Sequence, residues 1–338
     1  MALIVPSELH IDAQDKIIRK CLRFYSVLSD PRQGSGARLQ VQKIHDFLLA
    51  TDKTLRSKHG FSWRTEWEQS LGVPVRKGIS KEWFLGRASI PIVAMQRLER
   101  FGIQDDFLND LNPVYISTTT APPIGLPREL SPDLVYLIGL ILGDGSLPVK
   151  YLAKQQNNMF SVLIISKDQD FLQQKILPLF QQLFEIKKYA IRKDTRSNAF
   201  TLTINNKPIY RFFSCCIGMP TGKKAKNACV PQIIKELSLS AQIPFLAGLI
   251  DSDIGKHSSG LGATFSSKRF VDELVALLAP LGINAKNYGT HYKNATYEQN
   301  DFVIPKSQVK KLKDLLWQEY MPKRKDRLDA IEFLAGVR

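Results

Sequence analysis

Apolar residues recur at helical spacing along the first third of the chain. Ile17, Ile18, Cys21, Leu22 and Tyr25 predict one helix, and Val41, Ile44 and Leu48 predict a second, with Pro31 to Gly36 breaking the two. A third helix is expected from Ser62, with Gly72 as its stop. Ser80 is placed to N-cap a short helix ending near Gly86, and another runs from Pro91 to Phe101. Residues 113–133 break this rhythm with Pro113, Pro122, Pro123, Pro127, Pro132 and a threonine run at 118–120. No helix survives that density of proline, so this stretch reads as a linker.

Beyond it the pattern repeats. An apolar helical run is followed by a polar loop (150–158), a strand (160–166), a helix (168–184), strands at 188–192 and 200–204, and a helix (208–217). The second pass has an apolar run, a Gly/Ser loop (255–262), a strand (263–267), a helix (269–281), strands near 285–288 and 297–303, and a helix (306–318). Ser166-Lys167 aligns with Ser267-Lys268, each closing a strand and opening a helix; the loop before each has room for another strand. A repeat of this kind implies internal pseudo-two-fold symmetry.

The two apolar runs carry one nine-residue pattern: Leu137-Ile-Gly-Leu-Ile-Leu-Gly-Asp144-Gly145, and Leu246-Ala-Gly-Leu-Ile-Asp-Ser-Asp253-Ile254. Each has a glycine near its start and an acid at its C-terminal tip. Glycine within a helix costs about 1 kcal/mol against alanine, which implies close approach of another backbone. Helices packed with Gly139 against Gly248 would bring Asp144 and Asp253 to one end of the seam, within about 10 Å, where paired carboxylates suit a hard divalent cation. An anion at a helix C-terminus also calls for a nearby cation.

These two motifs, 109 residues apart, resemble those of the LAGLIDADG homing endonucleases, over roughly residues 134–316. The separation is similar to that of single-chain members, in which fused half-domains form a pseudodimer. The resemblance implies an α+β fold of two pseudo-symmetric αββαββα-like half-domains, with mixed or antiparallel sheets forming a DNA-binding saddle. It implies domains at 1–112 (helical), 113–133 (linker), 134–235 and 236–338. It further implies hydrolysis of DNA phosphodiesters with Mg²⁺ or Mn²⁺ held by Asp144 and Asp253, and basic residues beside the reacting water, for which Lys167 and Lys268 hold the repeat positions. One departure stands out: Ile254 occupies the place of the motif's last glycine, with Gly255 one residue late.

Charge supports a polyanionic partner. The net formal charge is +15, of which +4 belongs to residues 1–125 and +11 to residues 126–338; basic surfaces gain affinity for nucleic acid by releasing its condensed counterions. Candidate DNA contacts in the first half are Lys150, Lys154, Gln155, Gln156 and Asn157, then Arg192, Lys193, Arg196, Asn205 and Asn206. In the second half they are Lys286, Asn287, His291, Lys293, Asn294 and Gln299. Arg and Lys suit guanine, Asn and Gln suit adenine, and a two-stranded ribbon fits the major groove. Lys223, Lys224 and Lys226 form a basic loop between the halves, and Lys323 to Lys325 a second basic cluster; both read as phosphate contacts.

The four cysteines and five histidines form no metal-spaced set, so no structural zinc is expected. Adjacent Cys215 and Cys216 in an apolar stretch read as reduced, in an intracellular protein of cytoplasm, nucleoid or organelle. No apolar run is long enough to span a bilayer. The ends lack an intein's nucleophile and His-Asn pair, so an intact intein is not expected.

The leading expectation is therefore a monomeric, site-specific double-stranded DNA endonuclease with a long asymmetric target. A non-cleaving transcriptional regulator is the alternative. Leu71-Gly72-Val73, Ile79-Ser80 and Trp83 to Gly86 resemble a phage-repressor-like helix-turn-helix, although a plain helical bundle explains the same pattern. An RNA-splicing maturase is the third reading.

Overall fold

A computed structural model describes residues 23–24, 35–71, 79–85, 87–103, 113–117, 123–153, 157–195, 197–222, 224–290 and 299–336. The chain forms two compact units that meet in sequence between Glu129 and Leu130.

In the first unit, β1 (Arg23–Phe24) precedes the long helix α1 (Ser35–His59). The inward stripe of α1 is Ala37, Val41, Ile44, Leu48 and Leu55, all buried, at the spacing of one helical face. α2 (Trp63–Ser70) and α3 (Ile79–Phe84) add Trp63, Trp67 and Trp83, which pack as tilted and edge-to-face rings 5.6–5.9 Å apart. β2 (Ile90–Pro91) and α4 (Ile92–Gln96) follow. Gly72, Val73 and Gly86, on which the helix-turn-helix reading depends, lie outside the described residues.

The linker expectation requires a correction. β3 (Val114–Ser117) and β4 (Ile124–Leu126) fall inside it and join β1 and β2 in an antiparallel sheet of order β2-β1-β3-β4. The unit is accordingly mixed in structure. Proline bars a helix interior but is tolerated at the margins of short strands, and Pro113 and Pro123 lie just outside β3 and β4. Gln40 of α1 completes β3 from the side: its amide donates to the Tyr115 carbonyl at 2.7 Å and accepts from the Tyr115 N–H at 2.6 Å.

The second unit is α+β and shows the repeat directly. α5 (Pro132–Gly143) begins with Ser131, whose hydroxyl accepts from the Leu134 N–H at 3.3 Å, and with a proline in its first turn. β5 (Gly145–Ser146), β6 (Val149–Leu152) and β7 (Asn157–Ser166) follow. A wide π-type turn (Phe171–Ile176) leads into α6 (Leu177–Phe184). β8 (Ala190–Lys193), β9 (Phe200–Asn205) and α7 (Lys207–Arg211) close the half, and the short α8 (Gln232–Lys235) precedes the next.

The second half comprises α9 (Leu239–Ser252), β10 (Gly255–His257), β11 (Gly260–Phe265), α10 (Lys268–Leu278), β12 (Lys286–Thr290), β13 (Gln299–Pro305) and α11 (Lys306–Glu319). A last helix, α12 (Lys325–Leu334), was not expected from the sequence. The sheet orders are β5-β7-β9-β8, with β6 also on β7, and β10-β11-β13-β12. All these pairs are antiparallel, and the two orders correspond strand for strand.

Candidate active site at the end of a glycine seam

α5 and α9 pack along their glycines. A methyl group on Gly139 would stand 2.2 Å from the Phe245 carbonyl oxygen, and one on Gly248 would stand 2.2 Å from that of Tyr136. Each glycine thus faces the other helix's backbone, and any side chain there would force the seam apart. The contact continues to the C-terminal end, where a methyl on Gly143 would strike Ser252 Oγ and lie 3.1 Å from the Asp253 carboxylate. Asp253 therefore reaches across to the end of α5, beside Asp144.

Both acids are C-caps with helical backbone angles. The Asp144 N–H bonds to the Ile141 carbonyl, and the Asp253 N–H bonds to that of Leu249 at 2.9 Å. Ile254 leaves this placement intact. It is buried, and its N–H shares the Leu249 carbonyl at 2.9 Å. The glycine requirement differs between the halves. At Gly145 a methyl would meet the backbone of Ile141, whereas at Gly255 it would meet the Arg327 guanidinium.

The charge of Asp253 bears on Asp144. Asp144 titrates at about 6, raised first by burial and then by the charge of Asp253, with Arg324, Lys224 and Arg327 pulling it down. Burial also raises Asp253, against the pull of Lys224 and Arg327. Lys224 itself is lowered to about 8 by burial, an effect both aspartates oppose. Its ammonium donates to the carbonyls of Ile141 (2.9 Å), Leu142 (2.6 Å) and Gly143. A cation thus satisfies the carbonyl end of α5.

Two arginines do the same for α9. Arg327 donates to the Ser252 carbonyl at 3.0 Å and Arg324 to that of Asp251 at 3.1 Å. Arg324 is held in place by Asp251, a fully buried carboxylate. It accepts from the Tyr136 hydroxyl (2.6 Å), the Lys323 N–H (2.5 Å) and the Arg324 N–H (3.0 Å). Lys323 to Lys325 is consequently no loose basic cluster: its first two residues are anchored to the motif helix.

Two residues before Lys167, the Ile165 N–H bonds to the Asp144 carbonyl at 3.2 Å. The cations acting on the acid pair are Lys224, Arg324 and Arg327. Lys167 is exposed at the end of β7, and Lys268 is exposed and paired with Asp272 at 2.6 Å. In both halves the serine before that lysine bonds into the strand-to-helix turn. Ser166 accepts from the Asp168 N–H at 3.1 Å while Asp168 caps the following helix through the Phe171 N–H at 3.0 Å, and Ser267 itself caps α10 through the Phe270 N–H at 3.2 Å. Lys224 was anticipated as basic but assigned to phosphate. Arg324 was anticipated within the basic cluster 323–325 and likewise assigned to phosphate; Arg327 was missed, and no local pattern marks it.

Lys150, Arg192, Lys193, Lys226 and Lys286 are exposed. Arg192 and Lys193 take opposite faces of β8, because they pair with Thr201 and Phe200. Asn206 caps α7 through the Ile209 N–H at 3.0 Å, and Asn287 donates to Asp272 at 2.6 Å. Lys154, Gln155, Gln156, Arg196, Lys223, His291, Lys293 and Asn294 lie outside the described residues. Among the described residues no helix is long and apolar enough to cross a membrane, and Cys215 and Cys229 are free thiols.

No protein-family model matches the chain. A stretch of 171 residues, 49% of the chain, is 25% identical to homing endonuclease I-DmoI of Desulfurococcus mucosus and spans 78% of it. A stretch of 165 residues is 26% identical to the isomerizing glutamine--fructose-6-phosphate aminotransferase of Methanocaldococcus jannaschii, of which it spans only 14%. The crystal structure of I-DmoI in complex with DNA and Ca aligns with a TM-score of 0.47 and 21% identity, over 60% of this chain and 98% of that one. The chain is similar to LAGLIDADG homing endonucleases, as its paired motifs imply.

Proposed function

We propose that the chain is a site-specific endonuclease that hydrolyses double-stranded DNA with a divalent metal ion, using one aspartate from each motif helix. The observation that carries this reading is the acid pair: Asp144 and Asp253 stand at the end of one glycine seam, and the charge of Asp253 raises the Asp144 carboxyl. Similarity to a homing endonuclease over half the chain supports it.

The donor set suits Mg²⁺ or Mn²⁺, which take oxygen ligands and keep several waters. Among the described residues no group of three or more His, Cys, Asp or Glu side chains is arranged to hold a metal. The ion would therefore rest on Asp144, Asp253, backbone carbonyl oxygen and water. When bound, such an ion neutralises phosphoryl oxygens and lowers the pKa of its water. The residues around it have separable tasks. The aspartates hold the charge that draws the ion in. Lys224 brings a positive charge to the point where the phosphoryl group gains negative charge. Arg324 and Arg327 fix the end of α9, and hence Asp253. Exposed Lys150, Arg192 and Lys286 supply affinity for the duplex. The first unit is assigned to extending or strengthening DNA contact, inside the cell where such a target resides.

Purified protein is incubated with a library of long duplexes and Mg²⁺, and broken ends are sequenced. Breaks should cluster at one asymmetric site, and Asp144→Asn or Asp253→Asn should abolish them with affinity for the site retained. Random breakage, or unchanged cleavage by the double variant, would end this reading.

A further inference from the structure

Each sheet of the second unit turns one face toward its helices and the other outward, and the strand register makes the two outward faces comparable. In the first half Leu163 pairs with Thr203, and Thr203 with Ala190. With Ser166-Lys167 and Ser267-Lys268 as equivalent points, the matching row in the second half is Thr264, Asp301 and Tyr288. Paired antiparallel residues share a face, so each row is continuous across its sheet. The rows occupy one pseudo-symmetric place with opposite chemistry.

The first row carries no charge, with Leu163 and Ala190 flanking Thr203, and Ile165 lies next along its face, 45% exposed. The second centres on a carboxylate. The Thr264 hydroxyl donates to Asp301 Oδ1 at 2.6 Å, which leaves Oδ2 to accept. Among the described residues Asp301 has no ion pair. The cation sharing its face, Lys286, lies over the Tyr288 ring at 6.0 Å.

A carboxylate on a surface that meets phosphates opposes binding, so affinity does not explain it. Selectivity does. An ionised carboxylate only accepts hydrogen bonds. In the major groove guanine offers two acceptors, thymine an acceptor and a methyl, and adenine a donor beside an acceptor; cytosine alone offers only a donor. We propose that Asp301 is a specificity-determining residue that reads the N4 amino group of a cytosine. The equivalent first-half row carries no such acceptor, so the two halves of the target differ at the symmetry-related pair. This rests on the DNA-cleaving reading above.

The test starts from the target recovered by broken-end sequencing. Each base pair is then replaced singly, and affinity is measured for the intact wild type, Asp301→Asn and Thr203→Asp. Replacing one C·G pair in the second half-site should weaken wild-type binding by about tenfold or more. Asp301→Asn should erase that discrimination, or move it to adenine, with other positions unchanged. Thr203→Asp should create a cytosine preference at the symmetry-related position. An unchanged profile for Asp301→Asn overturns the assignment while leaving the nuclease reading standing. If Asp301→Asn does not fold, the absence of a new preference in Thr203→Asp overturns it instead. Failure of the wild type to bind or cut any duplex defeats both, and is recognisable because no target is then recovered.

Discussion

The Lys224 ammonium lies 2.6 Å from the carbonyl oxygen of Leu142, one residue before the end of the helix that presents Asp144. A helix C-terminus is an unfavourable place for an anion, since its own carbonyls point the negative end of the dipole at it. Placing an ammonium among three of those carbonyls offsets the conflict for Asp144, and Arg324 and Arg327 do so for Asp253. Each motif helix thus ends in an acid attended by a cation from a distant segment.

Lys224→Met removes that charge while keeping a similar apolar stem. Cleavage should fall by about a hundredfold or more, the scale of losing one charge-stabilising group in an active site. DNA affinity should change only by the equivalent of a single contact. Single-turnover cleavage alongside equilibrium binding separates the two, and undiminished cleavage would remove Lys224 from the chemistry.

Asp144 gives stability a defined dependence on pH. Its folded-state value of about 6 lies above the ordinary 3.8. Between these values the folded chain holds a proton that the unfolded chain has lost, so stability declines as pH rises through this window and stays lowered above it. Asparagine never ionises and escapes the penalty. In the presence of a chelator, Asp144→Asn should be more stable than wild type at pH 8. The difference should shrink as pH falls through 6 and vanish below about 4. Denaturant titrations at several pH values test this, and a pH-independent offset would contradict it.

The seam should not tolerate a methyl group. Gly139→Ala and Gly248→Ala each place a carbon 2.2 Å from a backbone oxygen of the opposing helix. Overpacking of this kind typically costs about 1–3 kcal/mol, with more to be expected where backbone must move. Gly289→Ala is the control, because nothing lies within 4 Å of its added carbon. Equal melting temperatures for all three variants would show that the helices are not packed through their glycines.

Asp251 is structural on this geometry. Asp251→Ala strands two N–H groups and the Tyr136 hydroxyl without their acceptor, at a cost on the order of 3 kcal/mol or more. It should also loosen α12, detectable as faster hydrogen exchange at residues 325–334. Wild-type protection of that helix in the variant would show that Asp251 does not anchor it.

Much of this was legible in the sequence. The glycine spacing within 137–145 and 246–254, the terminal acids and the repeated order of elements are local patterns. Helix and strand periodicity, and the need for small residues where backbones touch, write themselves directly into neighbouring positions. Elements written less clearly were misjudged for the same reason. Proline density announced the absence of helix at 113–133 but said nothing about β3 and β4, which pair with each other and join a sheet through β1, far away in the chain. The repeated Ser-Lys marked equivalent points of the two halves, but not that the serines bond differently there: Ser267 caps α10 itself, whereas Ser166 bonds to the Asp168 N–H and Asp168 caps the helix. Lys224, Arg324 and Arg327 reach the acids only because the segments after each half fold back over the ends of α5 and α9. Which cation meets which carbonyl is decided by chain closure in three dimensions, and a charged side chain on a loop carries the same local pattern whether it faces water or a buried aspartate.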